Sequence, residues 1–372
     1  MSRRITPLFA VLVLAATLVC ATSAVAVGQE PYTLTILHAG DTHAHIESIT
    51  PSGGTPVGGV ARRLTAIQRV RDEGGNVLPV DSGDAFQGKL FFNKWQGEEE
   101  AYFMSALVYQ AMVVGNHEFD SGPGTLGSFI RGAAFPVLSA NIDSSAETAL
   151  DDEILPCTIL TVGEGRIGVI GLTSTDTPSM SSPGGTVVFS DVLESARQAV
   201  AALEEQGISR IVALVHIGYP ADQELAHSVR GIDAIVGGHS HTLLGNMEGA
   251  VGDYPTVITG SDGGTTLVVH ATSGASISVV STWSSTGKAK SRATPASPFS
   301  STRASLRTAG LPKWWQHSPS RSKGSGARSS APARRCLVAY GRTCARERPT
   351  WGTSPATPCS GRRVRKPPRY VS

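Results

Sequence analysis

The chain has 372 residues, enough for two domains, with 32 Lys and Arg against 30 Asp and Glu and a mean hydropathy of −0.01. Five cysteines are too few and too scattered for a disulfide framework: Cys20, a solitary Cys157, and Cys336, Cys344 and Cys359 near the end. No pair has metal-thiolate spacing, so any metal must be held by His, Asp and Asn. The net charge of +2 hides a split. Residues 271–372 carry 19 bases and the single acid Glu347, whereas residues 1–270 carry 13 bases and 29 acids.

The N-terminus reads as a secretory signal over 1–26, with Arg3 and Arg4, an apolar Leu8–Val19 core and a small-residue cleavage site at Ala24-Val25-Ala26. The apolar run is short for a transmembrane helix, and no other span is visible, so export to a secreted, periplasmic or cell-surface location is expected.

Tyr32–Leu37 alternates as a strand and runs into Asp41-Thr42-His43, where the two ligand-type side chains point the same way. His38 and His45 nearby read as structural. Gly58–Gly74 is predicted helical, with Val60, Leu64, Ile67 and Val70 inward and the arginines as a solvated face. Val77–Val80 is a strand ending in Asp81-Ser82-Gly83-Asp84, where the Gly-Asp step favours Asp84 over Asp81 as a ligand. Glu98–Tyr109 is a helix. The run Ala111–Val114 then empties into Gly115-Asn116-His117-Glu118-Phe119-Asp120, a loop whose His and Glu exceed what turning requires.

Strands follow at Phe135–Ser139, Arg166–Leu172, Ile211–Val215 (ending at His216), Ile232–Val236 (ending at Gly237-Gly238-His239-Ser240-His241) and Thr265–Val269. Helices lie between them at Asp191–Gln206, with Val192, Ala196, Val200 and Leu203 inward and Gly207 as its stop, and at Ala221–Val229. Strands alternating with helices predict an α/β class. Asp41, His43, Asp84, Asn116, His216, His239 and His241 all fall just past strand ends, where ligands gather in such folds.

Imidazoles with carboxylates suit zinc, manganese, iron or cobalt. Seven such groups are too many for one tetrahedral ion and suit two ions sharing a bridging carboxylate, between which a water readily loses its proton to become the nucleophile of an in-line displacement. No G-x-S-x-G and no P-loop appears. Asp120, three residues beyond His117, can fix its tautomer, which points to His117 as the group that steadies phosphoryl oxygens or protonates the leaving oxygen. Spacing alone leaves open that His117 is itself a ligand and that Asn116 caps a turn.

The ordered series D-x-H, G-D, G-N-H-E-F-D, His-x-Gly and G-G-H-S-H-T, from about Thr33 to Val269, resembles the calcineurin-like metallophosphoesterases. Within them it resembles the exported 5′-nucleotidase, UDP-sugar hydrolase and 2′,3′-cyclic phosphodiesterase group. The resemblance implies a four-layer α/β/β/α sandwich over 32–270. It implies Asp41, His43, Asp84 and His241 on one metal, Asp84, Asn116, His216 and His239 on the other, and a His117–Asp120 catalytic dyad. It further implies nucleotide or small phosphoester substrates, with cyclic diesters, UDP-sugars and sulfur esters as alternatives on the same ligands. The substrate-binding residues are unassigned. Ala39-Gly40 departs from the family's usual Thr-Asn.

Residues 271–372 read as a basic, low-order tail of Ser, Arg, Pro and Thr. Such a tail would suit a polyanion-binding surface protein, although no specific nucleic acid partner is expected. Read one nucleotide earlier, codons for 350–354 permit Asn-Leu-Gly-Asn-Leu, and those for 274–286 permit Gly-Lys-Tyr-Leu-Gly-Arg-Leu-Asp-Val-Val-Phe-Asp. Both resemble family segments expected at those places. A frameshift near 270–273 is therefore expected to have removed the nucleoside-binding domain.

Overall fold

The computed structural model describes residues 32–50, 54, 56–150 and 153–273, together with the backbone of three short strands beyond them. The expected signal sequence over 1–26 lies outside the described residues, as does the basic tail beyond residue 273 apart from those strands. No helix among the described residues is long and apolar enough to cross a membrane.

Two sheets carry the fold. In the first, β1 (Leu34–Ala39), β2 (Asn76–Asp81), β3 (Ala111–Val113) and β4 (Val137–Leu138) run parallel, and β13 (Ser278–Thr282) adds antiparallel to β1, with β14 (Arg292–Ala293) outside it. The second is built on parallel β7 (Gly165–Thr173), β9 (Ile211–His216), β10 (Ala234–Gly237) and β12 (Thr265–His270). Antiparallel β6 (Cys157–Val162) and β11 (Thr256–Thr259) flank this set, and β15 (Leu337–Ala339) pairs with β6. A separate two-stranded ribbon joins β5 (Ile142–Asp143) to β8 (Val188–Phe189).

Three apolar clusters define four layers. Leu34, Ile36, Leu78 and Val113 of the first sheet meet Val169, Val212, Leu214 and Val236 of the second, so the sheets pack face to face. The outer face of the first sheet is covered by α1 (Val60–Asp72), α2 (Leu90–Trp95), α3 (Glu98–Ala106) and α4 (Pro123–Gly132) around Phe86, Phe92, Met104 and Phe129. The outer face of the second is covered by α6 (Val192–Glu204) and α7 (Tyr219–Ser228), through Ala196, Val200, Leu203 and Leu225. A single turn, α5 (Thr177–Met180), precedes β8. The expected α/β/β/α sandwich is therefore present. Burial on both faces explains why these strands read as near-continuous apolar runs.

Several expectations change. In α1 the inward positions are Val60, Arg63, Ile67 and Val70, whereas Leu64 is 43% exposed. Arg63 is not part of a solvated face. It is buried, donates to the carbonyl of His45, and places its charge beside Asp81 and Tyr109. Helix α2 was not expected, because Phe, Asn and Trp are poor helix formers and the segment is short. Cys157 is disulfide-bonded rather than solitary.

Helix α3 turns Glu100 into this core, only 4% exposed and with neither carboxylate oxygen hydrogen-bonded among the described residues. Burial, reinforced by Glu99, pushes its pKa up to about 8 from an ordinary 4.5. The folded chain thus holds a proton that the unfolded chain releases, so stability falls as pH rises from about 4.5 to about 8. Thermal melts of Glu100→Gln should match wild type below this window and exceed it by a few degrees at its upper end.

Candidate metal centre

Because β1, β2, β3, β7, β9, β10 and β12 share one direction within their sheets, their C-terminal ends form two rows, and the loops leaving them carry the polar motifs. All seven sequence-predicted ligands meet there. Ligand atoms of Asp41, His43 and His241 lie within 4.8 Å of one another, and so do those of Asp84, His216 and His239. Asn116 joins the second group, with Oδ1 2.9 Å from His239 Nδ1. Asp84 also shares a group with His43 and His117, which makes it the bridge between the two sets.

The backbone is bent hard to achieve this. Asp41, His43, Asp84, His239 and His241 have φ of 50°, 45°, 55°, 79° and 51°, left-handed values uncommon outside glycine. Gly83 is one of the close approaches that permit the bend. At φ 90°, a Cβ there would lie 2.9 Å from both the Gly115 amide nitrogen and His216 Nδ1. Gly40, the departure from the family's usual residue, closes on Ser82, whose Oγ would lie 1.9 Å from an added Cβ.

His216 is fully buried. Its Nδ1–H donates to the Ser82 carbonyl at 2.7 Å, which turns Nε2 toward Asp84 Oδ2, an ion-pair contact of 2.9 Å. Burial disfavours a charged imidazole there, yet the Asp84 carboxylate overrides it and pushes the pKa up to about 10. Asp84 is likewise buried, but His216 and His117 hold its carboxyl below the usual range. Burial raises Asp41 and lowers both His43 and His239. His43 Nδ1–H donates to the Phe86 carbonyl at 3.2 Å, leaving Nε2 3.0 Å from His241 Nε2. Ligand atoms each ~2.1 Å from one cation and at right angles to each other are about 3 Å apart, so these spacings fit a divalent ion.

Beside this set stands His117, with Nδ1 2.6 Å from Asp120 Oδ2 and Nε2 4.0 Å from Asp84 Oδ2. Asp120 is held on two further sides, by the Gln87 amide at 2.9 Å and the Ser181 hydroxyl at 2.7 Å. Sequence reasoning did not find Gln87 or Ser181. His38 bonds Tyr254 and His45 bonds the Thr42 carbonyl, so neither joins the ligand groups. Asp81 is spent on the Gly83 amide.

The role of Glu118 was also missed. Its Oε2 accepts from the amides of Asp84 (2.9 Å) and Gly115 (2.7 Å), and its Oε1 from those of Ala85 (2.8 Å) and Phe86 (3.1 Å). Burial and the Asp84 charge push its pKa up to about 7, while these donors pull it back. One buried carboxylate therefore fastens the Asp84 loop to the Asn116 loop.

A two-sheet sandwich with carboxylates, imidazoles and an amide converging at its strand ends defines an α/β protein with a candidate divalent-metal site. The chain belongs to the calcineurin-like phosphoesterase family, whose profile matches residues 34–243. It is 42% identical over 253 residues to a 5′-nucleotidase of Diplobatis ommata, covering 65% of this chain and 44% of that protein. Among solved structures it resembles a 5′-nucleotidase precursor from Thermus thermophilus, at 44% identity and TM-score 0.66, covering 71% of this chain and 55% of that one. It also resembles the NAD nucleotidase of Haemophilus influenzae, at 30% identity and TM-score 0.66, covering 71% of this chain and 49% of that one. The chain thus spans about half the length of the relatives it matches.

Two outcomes follow from this geometry. Glu118→Gln puts an amide N–H₂ against backbone donors and should cost about 3 kcal/mol in denaturant unfolding. Added Mn²⁺ or Zn²⁺ should raise the melting midpoint of the chelator-stripped protein, and Asp84→Asn should remove most of that rise.

Proposed function

We propose that this chain is the metal-holding, catalytic part of an exported phosphoesterase of the 5′-nucleotidase type. The observation that carries the reading is the meeting of two ligand groups at Asp84, with the His117–Asp120 pair beside them. In this reading Asp41, His43, Asp84 and His241 hold one divalent ion, and Asp84, Asn116, His216 and His239 hold a second, with zinc, manganese, iron or cobalt as candidates. Such ions, when bound, acidify water and neutralise phosphoryl charge.

The protein's own side chains set the remaining chemistry. Asp120, steadied by Gln87 and Ser181, keeps the proton of His117 on Nδ1 and orients the ring. His117 Nε2 then faces the centre, where it meets a phosphoryl oxygen or, once protonated, gives its proton to the leaving oxygen. His216 is locked by Ser82 and His43 by Phe86, so each presents Nε2 with little loss of freedom.

The division at residue 270 belongs to the same proposal. The relatives' remaining half would supply nucleoside contacts, and a frameshift near 270–273 would account for the change of composition there. Resequencing codons 265–300 decides this point: an unbroken frame ends the frameshift reading.

The functional test is phosphate release from AMP and from p-nitrophenyl phosphate. A chelator should abolish release. Asp84→Ala and His117→Ala should each lower kcat by about a hundredfold or more. Release that survives the chelator and both substitutions overturns the assignment.

A further inference from the structure

A second histidine–aspartate pair lies beneath the centre and has no part in the mechanism above. His270, the last residue of β12, and Asp222, in the first turn of α7, are 3% and 0% exposed, with His270 Nε2 2.5 Å from Asp222 Oδ2. His270 is in register with Gly237, which ends β10 immediately before Gly238-His239.

Three chain segments close on this pair. At Gly237 an added Cβ would lie 2.0 Å from Asp222 Oδ2 and 2.2 Å from His270 Nε2, so β10 can pass only because that residue has no side chain. Next along the chain, a Cβ at Gly238 would lie 2.8 Å from both His216 Nδ1 and the Ser82 carbonyl oxygen. The two glycines therefore seat one loop between the buried pair and a candidate ligand. Helix α7 starts just after His216-Ile217-Gly218. Its Tyr219 amide donates to Ser240 Oγ at 3.0 Å, between His239 and His241, and its ring meets His270 edge-on at 5.6 Å. Two residues beyond His270, the Thr272 hydroxyl donates to the His241 carbonyl at 3.2 Å.

We propose that His270 and Asp222 are positioning residues: their buried hydrogen bond fixes the Gly237–His241 loop against the His216 turn and so sets the protein's affinity for divalent cations. This rests on the metal-binding reading above. Without the His270 donor, Asp222 would be an unpaired buried carboxylate, and α7 and β10 would have to part to hydrate it. His239 and His241 would move with β10, while His216 would move with α7. Outer partners that orient metal ligands typically change affinity by ten- to a hundredfold.

The test measures Mn²⁺ binding to the full chain by electron paramagnetic resonance, without substrate. His270→Leu should weaken binding by at least tenfold. His270→Gln, which still offers a donor to Asp222, should bind close to wild type. Leu126→Ala, a cavity in the helix-covered core of the first sheet, controls for general destabilisation and should leave affinity unchanged. Should His270→Leu fail to fold, His270→Asn draws the donor back from Asp222 and carries the same expectation. Wild-type affinity in the donor-lacking variant, or an equal loss in Leu126→Ala, overturns the positioning role. A wild-type chain that binds no Mn²⁺ overturns the metal reading itself.

Discussion

The arrangement at the strand ends depends on one buried carboxylate. Glu118 gathers the amides of Asp84, Ala85, Phe86 and Gly115. Those amides belong to two loops that have left their strands and have no ladder partner. Buried and unpaired, each would cost about 1–3 kcal/mol, and together they would forbid so tight an approach. With Glu118 in place, the loops close until the His117 amide reaches Asp84 Oδ1 at 2.9 Å. Asp84 and Asn116 thereby become neighbours. The bridge between the two ligand groups is a consequence of main-chain satisfaction, achieved before any ion is considered.

Electrostatics adds a second constraint. Asp41, Asp84 and Glu118 bring three carboxyl groups into a nearly solvent-free volume with Asp81 adjacent. Burial drives Asp81 up to about 8 and raises Asp41. In the metal-free chain, the His216 imidazole supplies the compensating positive charge. A divalent ion would take over that task and free the His216 lone pair for ligation. The protein is thus arranged to hold charge it cannot comfortably hold alone.

Much of this was legible in the sequence because parallel strands buried on both faces announce themselves as apolar runs, and polar clusters then mark where the runs end. Asp41, His43, Asp84, Asn116, His216, His239 and His241 all carried that signature. Glu118 was conspicuous as chemistry the turn did not need, but three of its four main-chain donors come from a distant loop and leave no trace in local spacing. Gln87 and Ser181 escaped for the same reason, being 33 and 61 residues from Asp120. His270 does end a strand, as His216 does. However, it runs into Ala271-Thr272, without the glycine that stands two residues beyond His216, and nothing local tells that its partner lies 48 residues earlier. Arg63 shows the opposite failure: a charge run suggested a wet face, whereas helical spacing places one of its members beside Ile67 in the core.

The left-handed torsions at five of the ligand positions narrow the paths by which this site could decay. In the proposed reading aspartate and histidine serve there twice, as metal donors and as two of the few residue types that enter this region of backbone space at modest cost. Should selection for metal relax, valine, isoleucine or threonine at 41, 43, 84, 239 or 241 would strain the main chain, while asparagine and glycine would fit. A descendant that had lost its ions would therefore keep the loop shapes and carry Asn or Gly where the donors had been. The shape of the vanished centre would remain readable in its backbone.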